Sequence, residues 1–414
     1  MRNLLQRAQA NRKPRYFLPM LTVWLMFALS MVPSVLLFTA STPAMRTARN
    51  RFVGNLPLIG PAFSTAMKWY SDNVYPVQEL RVLASFPTTW QGQLYDVNKN
   101  YAQFERWYGD HLGLRDLMIR AKNELDYQLF RSSSRAYFGK HNYIYGRHLV
   151  DLELPATEAL LNSQQNIEAV HTGLVSYAKK LQAEGVTPIF IAPMQKEYLV
   201  PDNLPFFAPR LPQNSNFMAL YDRLQTDPSI HFVDVFGILK SMRDRYPIYY
   251  TQDFHWTDIS ALAVARETTN LIAKLEQSPI RWEHPIEIEY KPTVGSDARF
   301  AARLDAKERV LEPELVQRWV SIHKQNQLDV AQTGLEFDTD MLDRPDLLPP
   351  TCMYGNSFSD GMLQAGLIDY YQKFTKLDRA RPLANVPDLV KGRCKYVIIQ
   401  ILDIQTAHWS SFRQ

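Results

Sequence analysis

The spacing of hydrophobic positions changes several times along the chain, and each change marks a new element. Residues 17–40 carry no charge and are rich in Leu, Met, Phe and Val. A run of that length crosses a hydrocarbon core of ~30 Å at a rise of about 1.5 Å per residue. Its Pro19 and Pro33 are tolerable in a membrane helix. The pattern predicts one membrane anchor over 16–40, preceded by a tail at 1–15 and followed by a juxtamembrane linker at 41–80 whose glycines and prolines cluster at 54–61. From 93 to 130 the apolar residues recur at three and four. Leu94, Val97, Tyr101, Phe104 and Trp107 form one set and Leu114, Leu117, Ala121 and Leu125 another. This predicts two helices separated near Gly109 and Gly113. Residues 138–146 predict a hairpin turning at His141 and Asn142.

Further along, helical and strand periods alternate. An amphipathic helix is expected over 164–184, stopped by Gly185, and a buried strand over 186–192. A short helix follows at 218–224 and a strand at 231–236. Thr257 can cap a helix over 257–275, with Asp258 at its positive end. Short strands are expected at 286–290 and 351–354, a helix at 359–374 and a last strand at 395–402. Residues 291–348 are polar and predict irregular chain with helical pieces around 311–325. The alternation predicts an α/β domain over 81–414, with a mainly parallel sheet between helices. There is no internal repeat and no low-complexity tract.

Charge sharpens the placement of the N-terminus. The chain has 46 basic and 42 acidic residues, net +4. Arg2, Arg7, Arg12, Lys13 and Arg15 precede the apolar run with no acid among them, so the positive-inside rule sets the tail in the cytoplasm and the rest outside. Without those five cations the remainder holds 41 basic against 42 acidic residues. The basic balance is therefore topogenic and gives no argument for nucleic-acid binding. The expected topology is a single pass with the folded domain outside the cytoplasm. A cleaved signal peptide would have a shorter apolar core. The two cysteines, Cys352 and Cys394, are free to form a disulfide in an oxidising compartment or to remain separate buried thiols.

Two strings carry candidate chemistry. Residues 250–257 place Asp253 and His255 two positions apart, and residues 354–359 place Ser357 between a strand and a helix, two positions after Gly355. A serine hydroxyl needs a base, imidazole titrates in the right range, and a carboxylate on Nδ1–H fixes its tautomer. On an extended loop, positions i and i+2 share a side. Each string has a plainer explanation: Ser357 as a helix cap, and His255 as a packed ring beside a capping acid. Asp253 and His255 could also supply two metal ligands, but no further histidine has ligand spacing, so no metal is expected.

The residues also resemble a family. Phe104, Glu105, Trp107, Asp110, His111, Arg115 and Asp116 match the segment F-E-x-W-x-x-D-H-x-x-x-R-D of membrane-anchored alginate O-acetyltransferases and their relatives that acetylate other exopolysaccharides, including cellulose. Residues 138–145 are similar to its G-K-D-G-W-L-F hairpin, residues 191–202 to its P-x-K-x-x-x-Y-P loop, and 251–257 and 354–359 to its D-x-H-W-T and G-D-S-F-S motifs. The order is preserved over roughly 80–400. The resemblance implies an SGNH-hydrolase-like domain with the acid and base before the nucleophile: Asp253 orienter, His255 base, Ser357 nucleophile. It implies an acetyl group passed across the membrane by a multispanning acyltransferase partner, ultimately from acetyl-CoA, with no cofactor bound to this chain. Lys196, Asn356 and Tyr354 are the expected contacts to the polysaccharide, Lys196 alternatively ordering a loop or standing exposed in solvent. One departure stands out: Asn356 occupies the position of the family's Asp before the serine. An O-acetyl esterase with the same triad, or a non-catalytic scaffold of an acetylation complex, would read similarly. The polymer, alginate-like or cellulose-like, stays open.

Overall fold

The computed structural model describes residues 60–74, 76–77, 81–85, 97–111, 115–212, 214–305, 310–319, 323–326, 335–339 and 347–413, with isolated positions 47, 51 and 55. The expected tail and membrane anchor lie outside the described residues. Among the described residues no helix is long and apolar enough to cross a membrane. The chain divides into two compact units, residues 1–125 with 303–306, and residues 126–302 with 307–414. The residues expected as one domain over 81–414 fall across both units.

The first unit contains α1 (Gly60–Asn73), α2 (Val97–His111) and most of α3 (Arg115–Phe130). Two helices are present as the spacing implied, but α2 runs through Gly109 and ends at His111, and α3 begins at Arg115, so only Gly113 falls between them. Helix α1 occupies part of the stretch expected to be linker. Asp110 accepts hydrogen bonds from Arg81 and from the Ala84 N–H (2.8 Å). The buried Arg120 donates to the carbonyls of Leu304 and Pro76.

The second unit opens with the hairpin β1 (Ala136–Phe138) and β2 (Ile144–Gly146). Its turn uses left-handed backbone at His141 (φ 53°) and Asn142 (φ 64°), which asparagine tolerates better than most residues. Helix α4 (Gln164–Ala183) starts on a Ser163 cap and stops before Gly185 at φ 78°. Next come β3 (Thr187–Ile191), α5 (Asn216–Thr226), β4 (His231–Val233), α6 (Val235–Met242) and α7 (Asp258–Leu275), the last capped by Thr257. The strand expected over 231–236 ends early because Asp234 caps α6 by accepting the Gly237 N–H (2.9 Å). The short strand expected at 286–290 is present as β5 (Ile288–Thr293), and the region expected to be irregular or helical after it instead contains β6 (Val310–Leu315), β7 (His323–Asn326) and β8 (Leu335–Thr339). Pro313 is compatible with β6 because that strand pairs on one side alone, with β5.

The last part runs through β9 (Thr351–Tyr354), α8 (Ser357–Gln364), β10 (Lys373–Lys376), α9 (Val386–Val390), β11 (Tyr396–Gln400) and α10 (Thr406–Ser411). The helix expected to reach 374 stops at Gln364. Gly366 turns left-handed there (φ 93°), and a Cβ on it would meet His284 at 2.4 Å. That stop frees residues 373–376 to form a strand.

The main sheet has the order β4-β3-β11-β9-β10-β8-β7. The first five strands are parallel; β8 runs antiparallel to β10, and β7 antiparallel to β8. Alternate residues feed two cores. Ile189, Ile191, Met353 and Ile398 pack with α6, α7 and α8 on one face. Phe190, Cys352, Val397 and Ile399 pack with α4, α5, α9 and α10 on the other. Cys352 and Cys394 form a disulfide with Cα atoms 5.7 Å apart. It ties β9 to the entry of β11, its neighbour in the sheet. In an open α/β sheet, sites form beyond the carboxyl ends of the strands, and here that edge carries the loops after β3, β9 and β11.

Candidate active site

Ser357 owes its position to a sharp strand-to-helix turn. β9 is buried throughout, and the chain reverses at Gly355. A Cβ at Gly355 would lie 2.5 Å from Gln400 Oε1 and 2.8 Å from Ser359 Oγ, so only glycine passes without displacing one of them. Asn356 caps α8: its side chain accepts the Phe358 N–H (3.0 Å), while its own N–H donates to Gln400 Oε1 (3.1 Å). Below the turn the buried Lys376 of β10 donates to the Gly355 carbonyl (3.0 Å) and contacts Ser359 Oγ, with Asp360 at 3.6 Å. Burial lowers the Lys376 ammonium to about 8. Ser357 is thus the first residue of a helix. Its N–H has no carbonyl one turn back to bond within the helix.

The loop before α7 presents the other two groups. His255 Nε2 lies 2.7 Å from Ser357 Oγ, and His255 Nδ1 lies 2.6 Å from Asp253 Oδ1. Asp253 Oδ1 also accepts the His255 backbone N–H (3.0 Å), and Oδ2 accepts the Ser296 N–H (2.9 Å). Burial works to raise the Asp253 carboxyl, but the imidazole and these two amides overcome it and hold the group well below the usual carboxylate range. Phe254 and Phe358 flank the imidazole, with ring centroids 4.0 and 5.0 Å away.

With both halves in place, comparison with known proteins adds the family. The model of the SGNH hydrolase-like domain of the acetyltransferase AlgX matches residues 154–371, just over half of the chain. The chain belongs to that family. Asp253, His255 and Ser357 all fall inside the matched span. No curated protein matches the chain. Among solved structures, the O-acetyltransferase domain of Pseudomonas putida AlgJ is 13% identical, with 67% of this chain and 99% of that one covered and a TM-score of 0.44. Bacillus cereus PatB1 is 12% identical over 59% and 92% of the two chains, TM-score 0.44. Pseudomonas aeruginosa AlgX is 12% identical over 69% and 66%, TM-score 0.37.

Within this SGNH-like domain the other expected contacts fall elsewhere. Lys196 is neither exposed nor available to a polymer: it is 1% exposed, ion-paired to the equally enclosed Asp297 at 2.8 Å. Its ammonium also donates to the Asp253 carbonyl (3.1 Å) and the Ile144 carbonyl. It orders the loop of the base. Tyr354 points away from Ser357 into the opposite core, and its hydroxyl donates to the Arg381 carbonyl (3.0 Å). A polymer contact there is corrected, because consecutive strand residues face opposite sides. Asn356 is a helix cap, and a cap needs an acceptor oxygen, which Asn supplies as well as Asp does.

Several residues at the site had no sequence signal. Glu312 of β6 accepts the N–H groups of Thr251 (2.7 Å) and Gln252 (3.3 Å). The Asp297 and Ala298 N–H groups donate to the Gln252 carbonyl. Asp403, after β11, is fully buried and accepts the Gln195 N–H (3.0 Å), fixing the turn that carries Lys196. Asp297, Glu312, Lys376, Gln400 and Asp403 come from segments far apart in sequence, so no local spacing announced them. A cleft of about 420 Å³ opens beside the loop, lined by Asp253, Tyr250 and Gln364 of α8 together with both strands of the β5–β6 hairpin. Among the described residues, no cluster of three or more His, Cys, Asp or Glu could hold a metal.

Proposed function

We propose that the protein O-acetylates an extracytoplasmic polysaccharide through an acetyl-serine intermediate on Ser357. The observation that carries this reading is the continuous hydrogen-bonded relay from Ser357 Oγ through both nitrogens of His255 to Asp253. His255 Nε2 takes the hydroxyl proton as Ser357 Oγ attacks the acetyl carbonyl. Asp253 holds Nδ1–H and balances the imidazolium that forms. The Ser357 N–H, at the start of α8, faces the developing oxyanion with the helix dipole behind it. The donor's leaving group departs with the proton from Nε2. A sugar hydroxyl then attacks the acetyl-serine, gives its proton to Nε2, and Ser357 recovers its own.

Family membership supports acetyl transfer over other acyl chemistry. The charge pattern of residues 1–40 supports an anchored enzyme working outside the cytoplasm. No acetyl-CoA pool exists there, so a multispanning membrane partner would deliver the acetyl group. The test is partition. The full chain, given an activated acetyl ester, should release acetate slowly, and added oligosaccharide should divert acetyl onto sugar. Acetate release unaffected by any sugar would instead mark an esterase, and no turnover with an unchanged Ser357→Ala comparison would mark a scaffold.

A further inference from the structure

The cleft beside Asp253 continues into a second of about 370 Å³; the two share Asp258, Lys291, Glu314 and Gln364. Together they form one groove that runs from the base loop along the β5–β6 hairpin and past the C-terminal end of α8. Strand register puts Glu289 opposite Glu314 and Lys291 opposite Glu312, so these four side chains share one face of the hairpin, the face that lines the groove.

The charges on that lining are one-sided. Among the described residues it holds five carboxylates, Asp253, Asp258, Glu289, Glu312 and Glu314, against the single cation Lys291. That cation is already committed. Its ammonium lies 2.5 Å from Glu289 Oε1 and 2.7 Å from Glu314 Oε2. Asp253 is satisfied by His255 and Glu312 by the amides of Thr251 and Gln252. No guanidinium or free ammonium among the described lining residues is available to receive an acidic sugar. A polyuronate would bring one carboxylate per sugar into this field, and like-charge juxtaposition across an interface disfavours binding. Sugar hydroxyls meet no such penalty: they donate to carboxylate oxygens and accept from the Gln364 amide.

We infer that the acceptor polymer carries no negative charge: an uncharged glycan lies along the β5–β6 groove and presents a hydroxyl to Ser357, and a polyuronate is excluded. This rests on the transferase reading but is tested apart from it, in protein that lacks the nucleophile. The full chain carrying Ser357→Ala is titrated calorimetrically with cellohexaose and with a mannuronate hexamer at low ionic strength. Cellohexaose should bind at least about tenfold more tightly, and the gap should narrow on adding salt, which screens the exposed carboxylates. Glu289→Lys and Glu314→Lys, at half-exposed hairpin positions, should each raise mannuronate affinity several-fold. Mannuronate binding equal to or tighter than cellohexaose overturns the inference, as does failure of both hexamers to bind. Because binding is read without Ser357, these outcomes are independent of whether an acetyl-serine forms.

Discussion

The two sides of the 2.7 Å contact between Ser357 and His255 are held in different ways. On the serine side the support is compact: Gly355, the Asn356 cap, Gln400 from the neighbouring strand β11 and Lys376 from the neighbouring strand β10. On the histidine side the loop 251–255 is pinned by β2 through Ile144, by Lys196 after β3, by Ser296–Ala298 and by Glu312 of β6. The nucleophile rides on the sheet, while the base and its acid hang from a net of long-range hydrogen bonds. The serine side should therefore depend on its immediate neighbours in the sheet, and the histidine side should be sensitive to more distant buried charges.

The largest effect is expected at the contact itself. Ser357→Ala and His255→Ala should each lower acetyl turnover by ~10⁴-fold or more, and the double variant should lose little beyond either, since the members act as one unit. Steady-state acetyl release measures this. Additive losses would mean that the contact is incidental.

Next is Lys196→Met, which leaves Asp297 as an uncompensated buried carboxylate. Breaking one side of such a pair costs about 3–5 kcal/mol, readable by denaturant unfolding. Lys196→Met with Asp297→Asn should recover part of the loss. Turnover should fall with the single change because the Asp253 carbonyl loses its donor. A stable, fully active single variant would erase the contrast between the two sides.

A smaller effect is expected at Gly355→Ala. The added Cβ displaces Gln400 or Ser359, an overpacking cost of about 1–3 kcal/mol. Turnover should drop more than stability does, because the displaced Gln400 oxygen holds the Asn356 N–H.

The smallest effect is a pH signature of Lys376. Burial lowers its folded-state value to about 8, against about 10.4 in an unfolded chain. Between those values the unfolded state binds more protons, so stability rises with pH through that window and is flat below it. Lys376→Met should abolish this rise, so the wild-type minus variant difference in stability should climb with pH between about 8 and 10.4. A difference curve with no slope between about 8 and 10.4 would mean that the ammonium is not enclosed as described.

The same contrast explains what could be read from the sequence. On the serine side, residues 351–359 showed the strand, glycine and cap because these are neighbours in sequence, while Gln400 and Lys376, which come from other strands, gave no signal. Asp253 and His255 were visible because a two-residue spacing brings a carboxylate to a ring on extended chain. Their supports were not: Lys196 resembled an exposed lysine because burial depends on Asp297, a hundred positions away. Tyr354 looked site-directed because it adjoins the motif, yet strand alternation turns it to the other core. Strand β5 was legible in outline, whereas its partner β6 was hidden by Pro313 and by a density of charge that mimics a solvated helix. The sheet's core strands were legible from their apolar runs, whereas β10 was masked by a helical pattern that continues past the stop at Gly366.

The central claim, that Ser357 is the group that becomes acetylated, is tested most directly by peptide mapping of the full chain after brief exposure to an activated acetyl ester. The expected result is one acetyl group on the peptide containing Ser357, absent from Ser357→Ala and strongly reduced in His255→Ala. An acetyl group on another residue, or equal labelling of the Ser357→Ala protein, would contradict it.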